Sequence, residues 1–162
     1  LENLIFTGAG NFTGNGNGAG NVITGGTGND TLDGGIGADT LDGGGGSDIL
    51  RGGTGIDILS GGAGIDTYRW QAGDNSGGSD QITDFVNGVG GDTLDISALL
   101  VGFTGSSVLS DFVRKTEGAG NTTISIDTDG AAGGANFVDL VVLQGQTGID
   151  LNQMKTNGNL IV

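Results

Sequence analysis

Five tandem copies of one nine-residue unit constrain this chain more than any other feature. They read GGTGNDTLD (25–33), GGIGADTLD (34–42), GGGGSDILR (43–51), GGTGIDILS (52–60) and GGAGIDTYR (61–69), with no insertion to break the phase. The unit fits G-G-x-G-x-D-x-U-x, with U a large apolar residue, and a short fixed period of this kind marks a solenoid. Glycines at positions one, two and four permit positive φ and close backbone approach in a tight turn. The Asp at position six offers a hard oxygen ligand. Position eight, held by Leu32, Leu41, Leu50, Leu59 and Tyr68, is the only regularly large apolar one and is expected to face inward.

Each nonapeptide would supply one turn and one short strand, so two complete a coil of eighteen residues and the five repeats give two and a half coils. Residues eighteen apart then stack. One column is Asp30, Asp48 and Asp66; the other is Asn21, Asp39 and Asp57. One apolar residue in nine makes a thin core, which by itself does not offset a backbone ordering cost of about 1–2 kcal/mol per residue. Stacked carboxylates also repel one another until a cation neutralises them. Folding is therefore expected to be coupled to metal.

Composition agrees with this reading. The 162 residues include 38 Gly and no Pro, with five basic against nineteen acidic side chains and a net charge of −14. Nucleic-acid binding is disfavoured, because phosphate contacts need clustered Lys and Arg. The absence of Cys rules out disulfides and thiolate metal sites, and the absence of His removes the usual general base and zinc ligand. No phosphate-binding Gly-Lys-Ser/Thr is present, Lys115 and Lys155 fall in no catalytic motif, and no apolar run approaches a membrane span. The chain opens on Leu1 and is expected to be part of something longer.

Three regions are expected: degenerate half-turns over 1–24, the strict roll over 25–69, and a C-terminal cap over 70–162. In the cap, 113–127 reads as a β-hairpin turning at 118–120, with Ile124 and Ile126 on one face, and 137–145 as a buried strand. Leu160, Ile161 and Val162 can form a last strand against 137–143. Trp70, Tyr68 and Phe85 are read as packing at the end of the roll. Asp127-Thr128-Asp129-Gly130 starts like an EF-hand loop, but Val138 stands where that loop needs Glu, and a solvated turn is the preferred reading.

The nonapeptides resemble those of the RTX (repeats-in-toxin) proteins. The segments GDNSGGSDQITDF (73–85) and GGDTLDISALL (90–100) are similar to the block that caps RTX rolls in type I-secreted proteins, and GIDLNQMKTNGNLIV (148–162) is similar to the C-terminal ends of large RTX adhesins. The resemblance implies an all-β fold: a right-handed parallel β-roll (β-solenoid) of RTX nonapeptides with a β-rich C-terminal cap, binding Ca²⁺ in its turns.

It also implies a ligand pattern. One turn gives the carbonyls of positions two and four and its Asp; the turn eighteen residues later gives the carbonyls of positions one and three and its Asp. Carried over, one site joins Gly26, Gly28 and Asp30 to Gly43, Gly45 and Asp48. A second joins Gly35, Gly37 and Asp39 to Gly52, Thr54 and Asp57, and a third joins Gly44, Gly46 and Asp48 to Gly61, Ala63 and Asp66. Asp39 and Asp48 could each bridge two ions. At the fringes, Asn17, Ala19 and Asn21 with Gly34, Ile36 and Asp39 would lack one carboxylate. Gly53, Gly55 and Asp57 are expected near Asp74, and Gly62, Gly64 and Asp66 near Asp80, unless Asp74 and Asp80 are ordinary loop carboxylates.

The function this implies is a non-enzymatic, calcium-dependent folding and type I secretion module at the C-terminus of a large extracellular RTX protein, such as a surface adhesin. Its partners would be calcium ions and the ABC-type export machinery, which would read the C-terminal tail; the module would be monomeric, secreted or held at a bacterial cell surface. Two alternatives stand beside it. One is a ligand-binding solenoid for carbohydrate or ice, although the outward positions Thr27/Asn29, Gly45/Ser47 and Ala63/Ile65 form no repeated ladder. The other is the non-catalytic tail of an RTX protease or lipase.

Overall fold

The computed structural model describes residues 2–104, 106–130 and 136–162. Two sheets face each other across the thin core. The six-stranded sheet is built from β2 (Thr13–Asn15), β4 (Thr31–Ile36), β6 (Ile49–Thr54), β8 (Thr67–Arg69), β10 (Thr93–Asp95) and β14 (Leu160–Ile161), in that spatial order and all parallel. The eight-stranded sheet starts with β1 (Asn3–Ile5), β3 (Val22–Thr24), β5 (Thr40–Gly45), β7 (Ile58–Ala63) and β9 (Asp80–Ile82), also parallel. It continues through β13 (Val138–Leu143), β12 (Asn121–Ile126) and β11 (Val113–Gly118). Successive strands of the chain alternate between the two sheets from β1 to β10, which is the course of a parallel β-roll.

The register is the eighteen-residue stack: Leu32 lies on Leu50 and Leu50 on Tyr68 in one sheet, Ile23 on Leu41 and Leu41 on Leu59 in the other. All six side chains are buried. Strand alternation puts their neighbours outward, and the next two residues run straight into the glycine turn, so each strand has room for only one inward apolar residue. At the N-terminal end the inward position falls to Gly14, and the ring of Phe12 moves into the space a side chain there would take, stacked on Phe6 at 5.0 Å.

Beyond Arg69 the period breaks but the stacking continues. Ile82 of β9 lies on Leu59, twenty-three residues earlier, and Leu94 of β10 on Tyr68, twenty-six residues earlier. The 113–118/121–126 hairpin forms in register Gly118↔Asn121, turning through Ala119 and Gly120 at positive φ, and buries Ile124 and Ile126. The buried strand expected over 137–145 is β13, parallel to β9 on one side and antiparallel to β12 on the other.

The tail differs from expectation in two ways. Residues Leu151–Asn157 form a helix, α1, held at its start by Asp150, whose carboxylate accepts the N–H groups of Asn152 and Gln153, and ended by Gly158 at φ 85°. Leu160 and Ile161 pair with Leu94 and Asp95 of β10, not with 137–143. The reason is that β13 already has a neighbour on each side, whereas β10 is an open edge of the other sheet. Met154 and Leu160 are buried there.

Candidate metal centre

The six-position carboxylates line two columns, and each is fixed by the same bond. Oδ1 of Asp30, Asp48 and Asp66 accepts the backbone N–H of Phe12, Asp30 and Asp48 at 2.7, 2.7 and 2.8 Å. On the other side, Oδ1 of Asp39 and Asp57 accepts from Asn21 and Asp39 at 2.7 and 2.8 Å. Each carboxylate therefore reaches up to the coil before it. The side chains at Asp30, Asp39, Asp48, Asp57 and Asp66 are buried, at 0–1% exposure.

The second oxygen is different. Oδ2 of Asp30, Asp39, Asp48 and Asp57 is buried and has no hydrogen-bond partner. An orphaned carboxylate oxygen in a native interior needs an explanation such as an ion. Its surroundings are oxygen-rich. A Cβ added at Gly25 would collide with both Asp30 Oδ2 and the Gly43 carbonyl; at Gly34, with Asp39 Oδ2 and the Gly52 carbonyl; at Gly43, with Asp48 Oδ2 and the Gly61 carbonyl. The lone Oδ2 atoms of Asp30, Asp39 and Asp48 are thus near the position-one carbonyl of the turn eighteen residues on, whereas no such carbonyl comes as near at Asp57. Glycine at position one is required by that closeness, not by φ. Positive φ is taken at position two of all five repeats and at position four of the last four, as at Gly44 (94°) and Gly46 (121°).

The structure therefore brings together Asp30 with Gly43, Asp39 with Gly52 and Asp48 with Gly61, the heart of the three sites expected from sequence. Some other expected ligands are already engaged. The Gly26 carbonyl accepts from Gly45 N–H at 2.9 Å, Thr54 from Gly37 at 2.9 Å and Ala63 from Gly46 at 2.8 Å. Each carbonyl has a second lone pair through which it could still reach an ion. Among the described residues no three acidic side chains gather for a metal, so a cation here would need main-chain oxygens. Hard, all-oxygen donor sets of this kind fit calcium.

Burial strains these carboxylates electrostatically. Desolvation pushes Asp39 and Asp48 above the usual carboxylate range, and pushes Asp57 and Asp66 up to about 6, against the opposing effect of the N–H each accepts. Neighbouring carboxylates of the same column add to the rise. A cation would reverse both effects.

At the C-terminal end the pairing differs from expectation. Asp57 donates its N–H to Asp80 Oδ1 at 3.0 Å, and Asp66 donates to Asp92 Oδ1 at 3.0 Å. Asp80 thus follows Asp57 rather than Asp66, because the loop between Arg69 and β9 is five residues longer than a repeat would make it. Asp74 is held by Arg51, with Nε and Nη2 on its two oxygens at 2.8 and 2.6 Å, while Arg51 Nη1 reaches Asp33 at 2.7 Å. That pairing raises Arg51 above its already high value and leaves Asp74 an ion-pair partner rather than a free ligand. Gly53, Gly55, Gly62 and Gly64 keep their turn positions, all at positive φ. At the N-terminal fringe a Cβ at Gly16 would meet both Asn21 Oδ1 and the Gly34 carbonyl, so the site that lacks one carboxylate repeats this closeness, although Asn21 Oδ1 already accepts the Asn17 N–H at 2.8 Å.

Sequence reasoning missed Asp92, Asp84 and the donors around them. Asp84 accepts from Gly61 and Gly62 N–H, Ser60 Oγ and Tyr68 Oη at 2.7–3.2 Å, closing the last turn from below. Only the break in period hides Asp92, since TLD (93–95) repeats the strand that follows Asp30 and Asp39. Trp70, Tyr68 and Phe85 are buried at the roll's end, with Tyr68 and Phe85 rings 6.1 Å apart. Asp127 is buried rather than solvated, its oxygens accepting from Asp129 and Asn136 N–H; the rest of the EF-hand-like loop passes through 131–135, outside the described residues.

Residues 15–50 and 51–67 match the family HemolysinCabind, described as RTX calcium-binding nonapeptide repeat, in four copies. No curated protein matches the chain. The solved structures similar to it include two subunits of the Azotobacter vinelandii mannuronan C5-epimerase. The AlgE6R3 subunit is 26% identical over 91% of this chain and 79% of its own, with a TM-score of 0.44. The AlgE6R2 subunit is 30% identical over 88% of this chain and 84% of its own, with a TM-score of 0.48. The column carboxylates Asp30, Asp39, Asp48, Asp57 and Asp66 all fall within the family match, and positions 15–67 of this chain are RTX calcium-binding nonapeptide repeats.

Proposed function

We propose that this chain is a calcium-dependent folding and type I secretion module, the C-terminal part of a large extracellular RTX protein such as a surface adhesin. The observation that carries the calcium half is the orphaned Oδ2 of Asp30, Asp39 and Asp48, each buried beside a carbonyl of the next coil. Three ions would be held, by Asp30 with Asp48, Asp39 with Asp57, and Asp48 with Asp66, completed by the turn carbonyls named above. Sites of the weak extracellular class bind at ~10⁻⁴–10⁻³ M. Such a roll stays open at cytosolic calcium, can pass a narrow channel, and folds outside. The secretion half is supported by the resemblance of residues 148–162 to the ends of type I-secreted adhesins.

One paired experiment tests both halves. The chain ending at Gln146 is compared with the intact chain for calcium bound, by calorimetry, and for its amount in culture medium beside a type I exporter. Export is expected to fail while calcium binding at the three strict sites persists. Normal export of the shortened chain would remove the signal from the tail; a calcium-indifferent intact chain would remove the folding role.

A further inference from the structure

Both carboxylate columns come to an end, and the way they end separates the last carboxylates from those above. Every member uses Oδ1 identically, to accept the N–H one coil up. Oδ2 is orphaned at Asp30, Asp39, Asp48 and Asp57. At Asp80 it accepts the indole Nε1–H of Trp70 at 2.8 Å, and at Asp92 it accepts the backbone N–H of Val86 at 2.8 Å. All of these carboxylates are at most 2% exposed, so depth does not distinguish them.

The sequence frame explains why the change falls at Trp70. Counting nine from Gly61 places Trp70 at position one of what would be a sixth repeat. Position one is where the three strict sites take a carbonyl from the coil below, and where a side chain would collide with the carboxylate of its own turn. Trp70 cannot fill that place as glycine does. Its backbone N–H keeps the bond of a position-one glycine, to the Asp95 carbonyl at 3.0 Å as Gly25 bonds Asp42, but its ring is buried against the end of the core. The three atoms nearest a Cβ on Gly52 all belong to Asp57; no carbonyl from the following coil comes as near, unlike at Gly25, Gly34 and Gly43.

We propose that the indole N–H of Trp70 stands in for a cation at Asp80, and the Val86 N–H for one at Asp92, so that both columns are closed by protein donors and neither terminal carboxylate is a calcium ligand. This rests on the calcium reading of the columns above. A nitrogen–hydrogen donor satisfies one carboxylate oxygen with a partial positive charge and needs no ion, which suits the place where the repeat no longer supplies carbonyls.

The test uses the full chain at saturating calcium. Trp70 is the only tryptophan, so its indole N–H gives a single resonance. Exchange of that proton with solvent is expected to be at least about tenfold slower than in a free indole. Asp80→Asn is expected to move the resonance while leaving the number of bound calcium ions as in the parent chain, whereas Asp48→Asn lowers it. Exchange at the free-indole rate, or one calcium fewer in Asp80→Asn, would overturn the proposal. If Asp80→Asn does not fold, the exchange rate in the parent chain decides alone. Failure of the calcium reading looks different: Asp48→Asn would then bind as much calcium as the parent, and both ideas would fall together.

Discussion

The roll and the block that closes it are made of the same residue types and solve the same problem in opposite ways. Between Asn21 and Asp66 the chain stacks buried carboxylates and supplies each with one N–H, leaving the second oxygen of four of them unpartnered. Between Trp70 and Asp95 every buried carboxylate has protein donors on both oxygens: Asp74 from Arg51 and Gln71, Asp80 from Asp57 and Trp70, Asp92 from Asp66 and Val86. The core is shared; Tyr68, Ile82 and Leu94 continue the inward columns of the roll without interruption. What separates the two regions is therefore electrostatics rather than packing, and a strict nine-residue period is the cause. A strict repeat can place only what every copy contains, and the positions common to all five hold glycines, a carboxylate and a large apolar residue but no cation. The irregular segment is free to bring in an indole and a shifted backbone, and to set Asp74 against the guanidinium of Arg51 in the third repeat.

The most direct way to break the comparison is to withhold the ion. In excess chelator the β signal in circular dichroism is expected to fall by the share that β3–β8 contribute, and to return with millimolar calcium. Magnesium should restore it poorly, because it demands a smaller octahedral shell and gives up its waters reluctantly. An identical spectrum and melting temperature with and without chelator would mean the roll stands without metal, as the closing block does.

Single carboxylates should come next in size. In the proposed calcium sites Asp48 serves two ions and Asp30 one. Asp48→Ala is expected to weaken about two calcium ions and Asp30→Ala one, since each loses a ligand for every site it serves. Equal losses in a calorimetric titration would mean that ions are not shared along a column. The structure adds a reason for the same ranking: Asp48→Ala also strips the acceptor from the N–H of Asp30, a buried residue, whereas Asp30→Ala strips it from Phe12, half-buried at the end of the roll.

Acid should act on the two states in opposite directions. Burial raises Asp57 and Asp66 to about 6 and Asp80 to about 7 in the folded, metal-free chain, while an unfolded Asp titrates near 3.9. Between those values the folded state holds more protons than the unfolded one, so stability falls as pH rises through the window and is fully present only below about 4. Without calcium, therefore, the fold should gain stability as pH drops from about 7 towards 4, protons doing part of what the ion does. With calcium the sign reverses, because protons compete for the same oxygens. Melting temperatures across this range, in chelator and in calcium, check the crossing; parallel curves would sink it.

The sequence made the roll legible for a physical reason. A nine-residue period with one apolar residue and one Asp leaves a single way to stack, and the register Leu32–Leu50–Tyr68 follows from counting eighteens. The stacking of Asp30 on Asp48, Asp48 on Asp66 and Asp39 on Asp57 was legible on the same count. Legibility ended at Trp70, where spacings of twenty-three and twenty-six replace eighteen and counting pairs Asp66 with the wrong carboxylate. The helix at Leu151–Asn157 was missed although its Asp150 cap and Gly158 stop bracket it, because seven residues carry too little period to be heard beside the β pattern. The partner of Leu160 could not be read at all. Which of two edges a two-residue strand takes is decided by which edge remains open, and that is a property of the finished sheets.

The smallest expected effect lies at position nine of the six-stranded sheet, where Arg51 and Arg69 are equivalent by repeat and unequal by partner. Arg51, whose side chain is 24% exposed, grips Asp74, which is 1% exposed. Arg69, at 42%, meets Asp95, at 16%, through one contact of 3.1 Å. Replacing Arg51 by Met would leave Asp74 buried with only the Gln71 N–H for a partner, which costs about 1–3 kcal/mol. Replacing Arg69 by Met breaks a pair that solvent already screens, worth less than about 1 kcal/mol. Neither residue is a calcium ligand, so denaturant midpoints should drop for Arg51→Met both in calcium and in chelator, and barely move for Arg69→Met in either. If Arg51→Met were damaging in chelator and harmless in calcium, an ion would be taking the place of the guanidinium at Asp74. The junction would then belong to the metal-dependent roll, and the boundary between the two regions would move from Trp70 to the start of β9.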